Sequence, residues 1–191
     1  MENSQSAALR GIQSALKKMA DPAARASFQK FIPTCQNVYG VRVPFLNELA
    51  KQYKSAKFDL VWELWNSGAF EEKLLAVKIL GRICKSDPDE TLALLAQFSK
   101  EIMDWAVCDT LATQGIRGIC KIKQEEIFDL AKKFLKSNDF WQRRLGIVLL
   151  TNYAKDPSLR SQIEGLIEPL ADDKETYINK AIVWIRKDLN K

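Results

Sequence analysis

The chain has no histidine among its 191 residues. Without an imidazole, catalytic triads that depend on histidine are excluded. The commonest nitrogen ligand of zinc is missing too. Cysteine does not make up the deficit. The four present, Cys35, Cys84, Cys108 and Cys120, form no CxxC pair and each sits in an apolar or helical context. They read as reduced cytosolic thiols, and no metal site is expected. Glycine and proline are scarce, eight and six residues, and they fall between amphipathic runs rather than inside them. Strand-like alternation is absent, so the chain reads as all-α. No apolar run approaches the roughly 20 residues that a membrane helix needs, and no signal peptide is recognisable. The expectation is a cytoplasmic protein without a membrane.

What is present is an ordinary globular composition with a basic balance, a formal charge of +5 and a pI near 9.0. The length predicts one domain over residues 1–191 and a monomer with a full core. The charge points towards a polyanion partner without specifying one. Periodicity predicts helices over Ser4–Ala20, Ala23–Phe31, Pro44–Tyr53, Phe58–Asn66, Phe70–Lys85 and Asp89–Phe98. It predicts more over Asp104–Ile119, Gln124–Ser137, Phe140–Ala154, Ser158–Leu170 and Lys174–Leu189. "SDPDE" and "KDPSLR" are matching breaks in which proline starts a helix after an acidic cap.

The helices repeat in pairs. "FDLVWELW", "DETLALLAQF", "EEIFDLAKKF" and "RSQIEGLIEPL" read as first helices. "EEKLLAVKIL", "DWAVCDTLAT", "WQRRLGIVLL" and "YINKAIVWIR" read as their partners. Steps of 31 to 37 residues match two-helix solenoid repeats, which bury their apolar faces only by stacking. The expected fold is a right-handed α-solenoid of helix pairs with a concave basic groove.

In the second helices, Lys73, Asp109, Arg144 and Lys180 follow one another at steps of 36, 35 and 36, so regular stacking would put them in one register. Trp105 lies four residues before Asp109 and shares its helical face. A carboxylate beside an indole in an apolar run needs a partner or a ligand. The register offers Lys73 and Arg144 as partners, and pairing would keep Asp109 ionised. Two readings stay open for the stripe: a charged ladder that ties layers together, or a binding surface. Trp62, Trp65 and Trp141 read as packing aromatics. Trp105 and Trp184 stand beside ionisable residues. Basic residues such as Lys73, Lys78, Arg143, Arg144, Lys180 and Arg186 are candidates to line the groove, which suits duplex DNA or an acidic protein.

"YGVRVPFLNELAK", "WAVCD", "FWQRRLGIVLL" and "INKAIVWIRKDL", in this order and spacing, resemble the AlkD-like DNA alkylation repair family over nearly the whole chain. The resemblance implies a HEAT-like α-solenoid and a DNA glycosylase that releases purines alkylated on a ring nitrogen, such as 3-methyladenine and 7-methylguanine. It implies no metal or organic cofactor. It places the active-site aspartate at Asp109 after Trp105, the active-site arginine at Arg144 and the second tryptophan at Trp184. Arg143, Lys73, Lys180, Lys187, Arg186 and Phe31 are the candidate DNA contacts. Phe31 stands where the family often has tyrosine, and Lys187 where it often has arginine.

Such a purine is cationic, and it leaves as a neutral base. The transition state puts positive charge on the sugar, so fixed negative charge near the anomeric carbon is needed. Asp109 would supply it, the indole faces would meet the cation, and Arg144 would hold a phosphate or orient Asp109. The alternatives are a non-catalytic binder of bent, branched or damaged DNA, and a protein scaffold.

Overall fold

A computed structural model of the chain describes residues 6–32, 34 and 36–191. The expected helix start at Ser4 and the thiol of Cys35 lie outside these residues. Among the described residues there are eleven α-helices and no strand. None of the described helices is long and apolar enough to cross a membrane. The chain divides into two compact units, Met1–Asp87 and Pro88–Lys191.

The first unit holds α1 (Ala7–Lys18), α2 (Pro22–Phe31), α3 (Val43–Gln52), α4 (Phe58–Asn66) and α5 (Phe70–Ile83). Ser6 caps α1 by accepting from the Leu9 N–H, and its hydroxyl donates to Glu63 of α4. Leu9, Ile12 and Leu16, one helical stripe, are buried beneath that cap. Asp21 caps α2, with Pro22 at the first helical position, where a missing N–H costs nothing. α5 is the core helix and packs against both α3 and α4.

Two carboxylates at the start of α5 hold the segment before α3. Glu71 is fully buried. Its Oε1 accepts from the backbone N–H of Gly40 at 2.7 Å and of Val41 at 2.9 Å, and its Oε2 from that of Tyr39 at 3.0 Å. Glu72 accepts from the Tyr39 hydroxyl. Gly40 has a φ of +90°, and a Cβ there would lie 2.4 Å from the Asp21 carbonyl oxygen. Glycine is therefore required twice, by conformation and by space.

The second unit holds α6 (Pro88–Phe98), α7 (Trp105–Thr110), α8 (Gln124–Leu135), α9 (Phe140–Leu150), α10 (Arg160–Ile167) and α11 (Thr176–Leu189). α9 packs against α8, α7 and α11, while α8 also packs against α10. Second helices thus neighbour second helices, and first helices neighbour first helices, the two-layered, solenoid-like stacking that the repeat predicts. At Gly146 α9 runs close against α8: a Cβ there would stand 3.0 Å from the Ala131 carbonyl oxygen. The breaks behave as read. Pro88 opens α6, and Asp156 caps the short 3₁₀ turn that Pro157 starts.

Three expected helices do not run through: Phe140–Ala154 turns 3₁₀ after Leu150, Ser158–Leu170 is α-helical only over Arg160–Ile167, and the third breaks most. Asp104–Ile119 is α7, then a π-helical turn at Leu111–Gly115, then a 3₁₀ turn at Arg117–Ile119. The wide turn has side-chain support. The Thr113 hydroxyl donates to the Asp109 carbonyl at 2.7 Å, and Asn152 Nδ2 donates to the Ala112 carbonyl at 2.9 Å. The second partner is 40 residues away, which is why local periodicity, blind to it, continues the α-helix.

Candidate functional site

α7 is six residues long and begins with a strong cap: Asp104, itself buried, accepts from the Val107 N–H at 2.8 Å. Val107 and Cys108 turn into the core. This orientation leaves Trp105 exposed and Asp109 at the boundary between core and solvent. The two residues share a face one turn apart.

Arg144, in the fifth position of α9, meets Asp109. Its Nε donates to Asp109 Oδ1 at 2.9 Å and its Nη2 to Oδ2 at 2.8 Å. Its Nη1 donates to the backbone carbonyl of Tyr177, on the first turn of α11, at 2.5 Å. All three guanidinium nitrogens are occupied, and the side chain is only 7% exposed, against 20% for Asp109. Burial pushes the Asp109 carboxyl above its ordinary value, and the hydrogen bonds and charge of Arg144 pull in the opposite direction. The parallel double bond is the geometry by which a guanidinium holds an ionised carboxylate. It also fixes the carboxylate plane while leaving acceptor capacity on both oxygens.

Aromatic rings join α9 to α11. Trp141 is buried, as its packing role predicts, with its ring centroid 4.7 Å from Phe140 and 4.8 Å from Tyr177. Cys108 is fully buried behind Asp109, and burial, reinforced by the Asp109 charge, pushes its thiol well above the ordinary range. It is no nucleophile. Cys84 and Cys120 are likewise buried thiols.

The other residues singled out in the sequence are dispersed. Trp184 is half-buried on α11, seven residues after Tyr177 on the same face, roughly 10 Å further along the helix. Lys180 is exposed between them, its Nζ 5.8 Å from the Tyr177 ring. Arg186 is exposed and paired with Glu168 at 3.0 Å, and Lys187 is exposed in the last turn. Arg143 is largely buried, its Nε bonded to Asp173 at 2.9 Å and its Nη1 to the carbonyls of Ser137 and Asn138. It clamps the start of α9 to the turn before α11. In the first unit, Lys73 is half-buried with its Nζ 4.7 Å from the Trp65 ring, and Phe31 is 64% exposed at the end of α2. Lys78, expected at the rim of a groove, is instead buried. Burial pushes its ammonium below the ordinary value, and Arg82 adds to the shift.

Sequence reasoning missed Tyr177, Asp173 and Asn152. Tyr177 acts through its backbone carbonyl, which no residue type can advertise. Asp173 sits in the acidic turn "ADDKE", where its pairing with Arg143 was detectable only as a residual charge opposite the doubled arginine.

The family model for "DNA alkylation repair enzyme" matches residues 12–191 and so runs across both units. A solved structure described as a predicted DNA alkylation repair enzyme from Enterococcus faecalis is similar in fold, with a TM-score of 0.76 and 16% identity. That similarity covers 90% of this chain and 84% of that one. No curated protein matches the sequence. With all but its first eleven residues inside the family model, the chain belongs to the DNA alkylation repair enzyme family.

Proposed function

We propose that this protein is a DNA glycosylase that releases cationic alkylated purines, of the 3-methyladenine and 7-methylguanine type, from duplex DNA. The observation that carries the reading is the Asp109 carboxylate. It is aimed by two guanidinium bonds from Arg144 and stands one turn from the exposed indole of Trp105. A fixed anion beside an electron-rich ring suits a substrate that is cationic at the base and becomes cationic at the sugar.

The chemistry follows from the leaving group. A ring-alkylated purine departs neutral, so protonation by a general acid is not required, and neither a metal nor an organic cofactor has a task to perform. Asp109 stabilises the charge that develops at the anomeric carbon, and its free acceptor positions hold the water that attacks. Arg144 orients Asp109. Three of its five N–H donors are engaged and it is buried, so most of the phosphate binding falls to exposed cations such as Lys180, Lys187 and Arg186. Trp184 and Phe31 contribute aromatic contact surface. The protein works as a monomer in the compartment that holds the genome.

The deciding experiment incubates purified protein with methylated duplex DNA and quantifies free bases. Release of methylated purines above the spontaneous rate is expected. Salt-dependent duplex binding without any release would replace this reading with that of a non-catalytic binder.

A further inference from the structure

The π-turn after α7 starts two residues beyond Asp109 and carries one more residue than an α-helical turn would hold. One residue of helix is about 100° of rotation. If the turn relaxed to α-helix, the segments on its two sides would rotate by that angle relative to one another. Leu111, Ala112, Ile116 and Ile119 are all fully buried, so the downstream segment is held by the core. Val107 and Cys108 seat α7 in the core as well, but a rotation taken up by this six-residue helix would carry Asp109 away from Arg144.

Asn152 opposes this. It lies in the 3₁₀ turn Thr151–Tyr153 that directly follows α9, the helix carrying Arg144. Its Nδ2 donates to the Ala112 carbonyl inside the π-turn at 2.9 Å and to its own Leu149 carbonyl at 2.9 Å. A wide turn disrupts the regular i→i−4 pairing, and an amide from a neighbouring helix supplies a donor where it does so. The element bearing Asp109 is thereby bonded to the element bearing Arg144 at a second point, independent of the ion pair.

We infer that Asn152 is a positioning residue. By bonding the Ala112 carbonyl it holds the π-turn, and through it the register in which Asp109 meets Arg144. The inference rests on the glycosylase reading only for its kinetic consequence. The geometric consequence can be read without any DNA.

Asn152→Ser separates the two bonds. In this protein hydroxyls at helix ends bond the carbonyl three residues back, as Thr151 does to Val148, Ser99 to Ala96 and Ser86 to Ile83. A serine at 152 keeps that local bond and loses only the reach to Ala112. The first measurement is the titration of Asp109 followed by carboxyl ¹³C NMR. The charged group facing Asp109 is Arg144, from α9. Loss of register removes its bonds, so the Asp109 titration should move further upward in Asn152→Ser. Asn152→Gln, which keeps the amide, should restore part of the wild-type value.

The second measurement is single-turnover base release. It should fall by on the order of a hundredfold, as expected for a displacement of about 1 Å at a reacting group, with duplex affinity unchanged. An Asp109 titration identical to wild type in Asn152→Ser overturns the inference, whatever happens to thermal stability. A wild-type protein that releases no base ends the glycosylase reading while leaving the NMR result to decide the role of Asn152.

Discussion

Arg144 reaches across 35 residues of sequence to grip Asp109 with two nitrogens, and its third is held by the Tyr177 carbonyl. The guanidinium therefore joins α7, α9 and α11 at one point. Three of its five N–H donors are engaged and the side chain is only 7% exposed, so its main contribution is to the aim of the carboxylate.

Arg144→Lys tests this directly. Lysine keeps the charge but cannot make the parallel fork or reach the Tyr177 carbonyl at the same time. Base release should fall on the order of ten- to a hundredfold through the lost orientation of Asp109, while duplex affinity stays within about twofold, since the charge is retained. A lysine variant with full activity would show that charge alone suffices and that the fork is incidental.

The helices of this chain were legible because each carries its own stripe and stop. Phe58–Asn66 runs where periodicity sets it, between Lys57 and Gly68, and Phe140 follows an aspartate cap. The Asp109–Arg144 pairing was legible too, as a one-repeat offset between second helices. What stayed hidden depends on partners distant in sequence. The π-turn is supported by Asn152, and the guanidinium is anchored by a backbone carbonyl. Lys78 reads in the sequence as a candidate to line the groove, yet α5 is packed so closely by its neighbours that the side chain is buried. Within the first unit, Lys73 has the Trp65 ring beneath its ammonium, a contact that the repeat register does not reveal.

The pH dependence of base release has a predictable sign. Burial raises the Asp109 carboxyl above 3.8, with Arg144 opposing. Activity requires the ionised form, so single-turnover release, corrected for spontaneous depurination, should rise with pH through that raised value and then level off. Stability runs the other way. A raised folded-state value means that the folded chain holds this proton more tightly than the unfolded one. The stabilising contribution is complete below about 3.8 and is lost as pH rises through the folded value. An acid limb centred below 3.8 would contradict the assignment to Asp109.

Glu71→Gln should destabilise the first unit without touching the candidate site. The carboxylate accepts three backbone N–H bonds at Tyr39, Gly40 and Val41. A glutamine offers one oxygen and turns an NH₂ towards a donor. Hydrogen bonds to a charged group contribute about 1.5–3 kcal/mol each, so a loss of roughly 2–4 kcal/mol is expected, measured by denaturant unfolding. Wild-type stability would mean that the loop holds its shape without the staple.

Trp105→Leu keeps apolar bulk and removes the π face. A cation–π contact is worth about 0.5–2 kcal/mol, so release of a cationic purine should slow about 2- to 30-fold. Binding of duplex that carries a neutral isostere of the lesion should change little. Equal losses for the charged and the neutral lesion would make Trp105 a steric contact rather than an electrostatic one.

Asp109→Asn is the sharpest test. The substitution keeps the shape of the side chain and one acceptor for Arg144, and it removes the negative charge. If Asp109 stabilises the sugar cation, base release per folded molecule should fall by about two orders of magnitude or more, since a loss of roughly 2.7–4 kcal/mol is typical where electrostatic stabilisation is removed. Duplex affinity should hold or rise, because a negative charge has left a basic protein. Arg144 would be left buried with two of its three acceptors and an amide NH₂ turned towards it, so some fall in melting temperature is expected as well. A purely structural bridge predicts a different pattern: binding and activity lost together, in proportion to the unfolded fraction. Rates measured well below the melting temperature, with affinity measured on the same preparation, separate the two. Undiminished release with asparagine at this position would remove Asp109 from the chemistry and leave the aromatic faces of Trp105 and Trp184 to carry it.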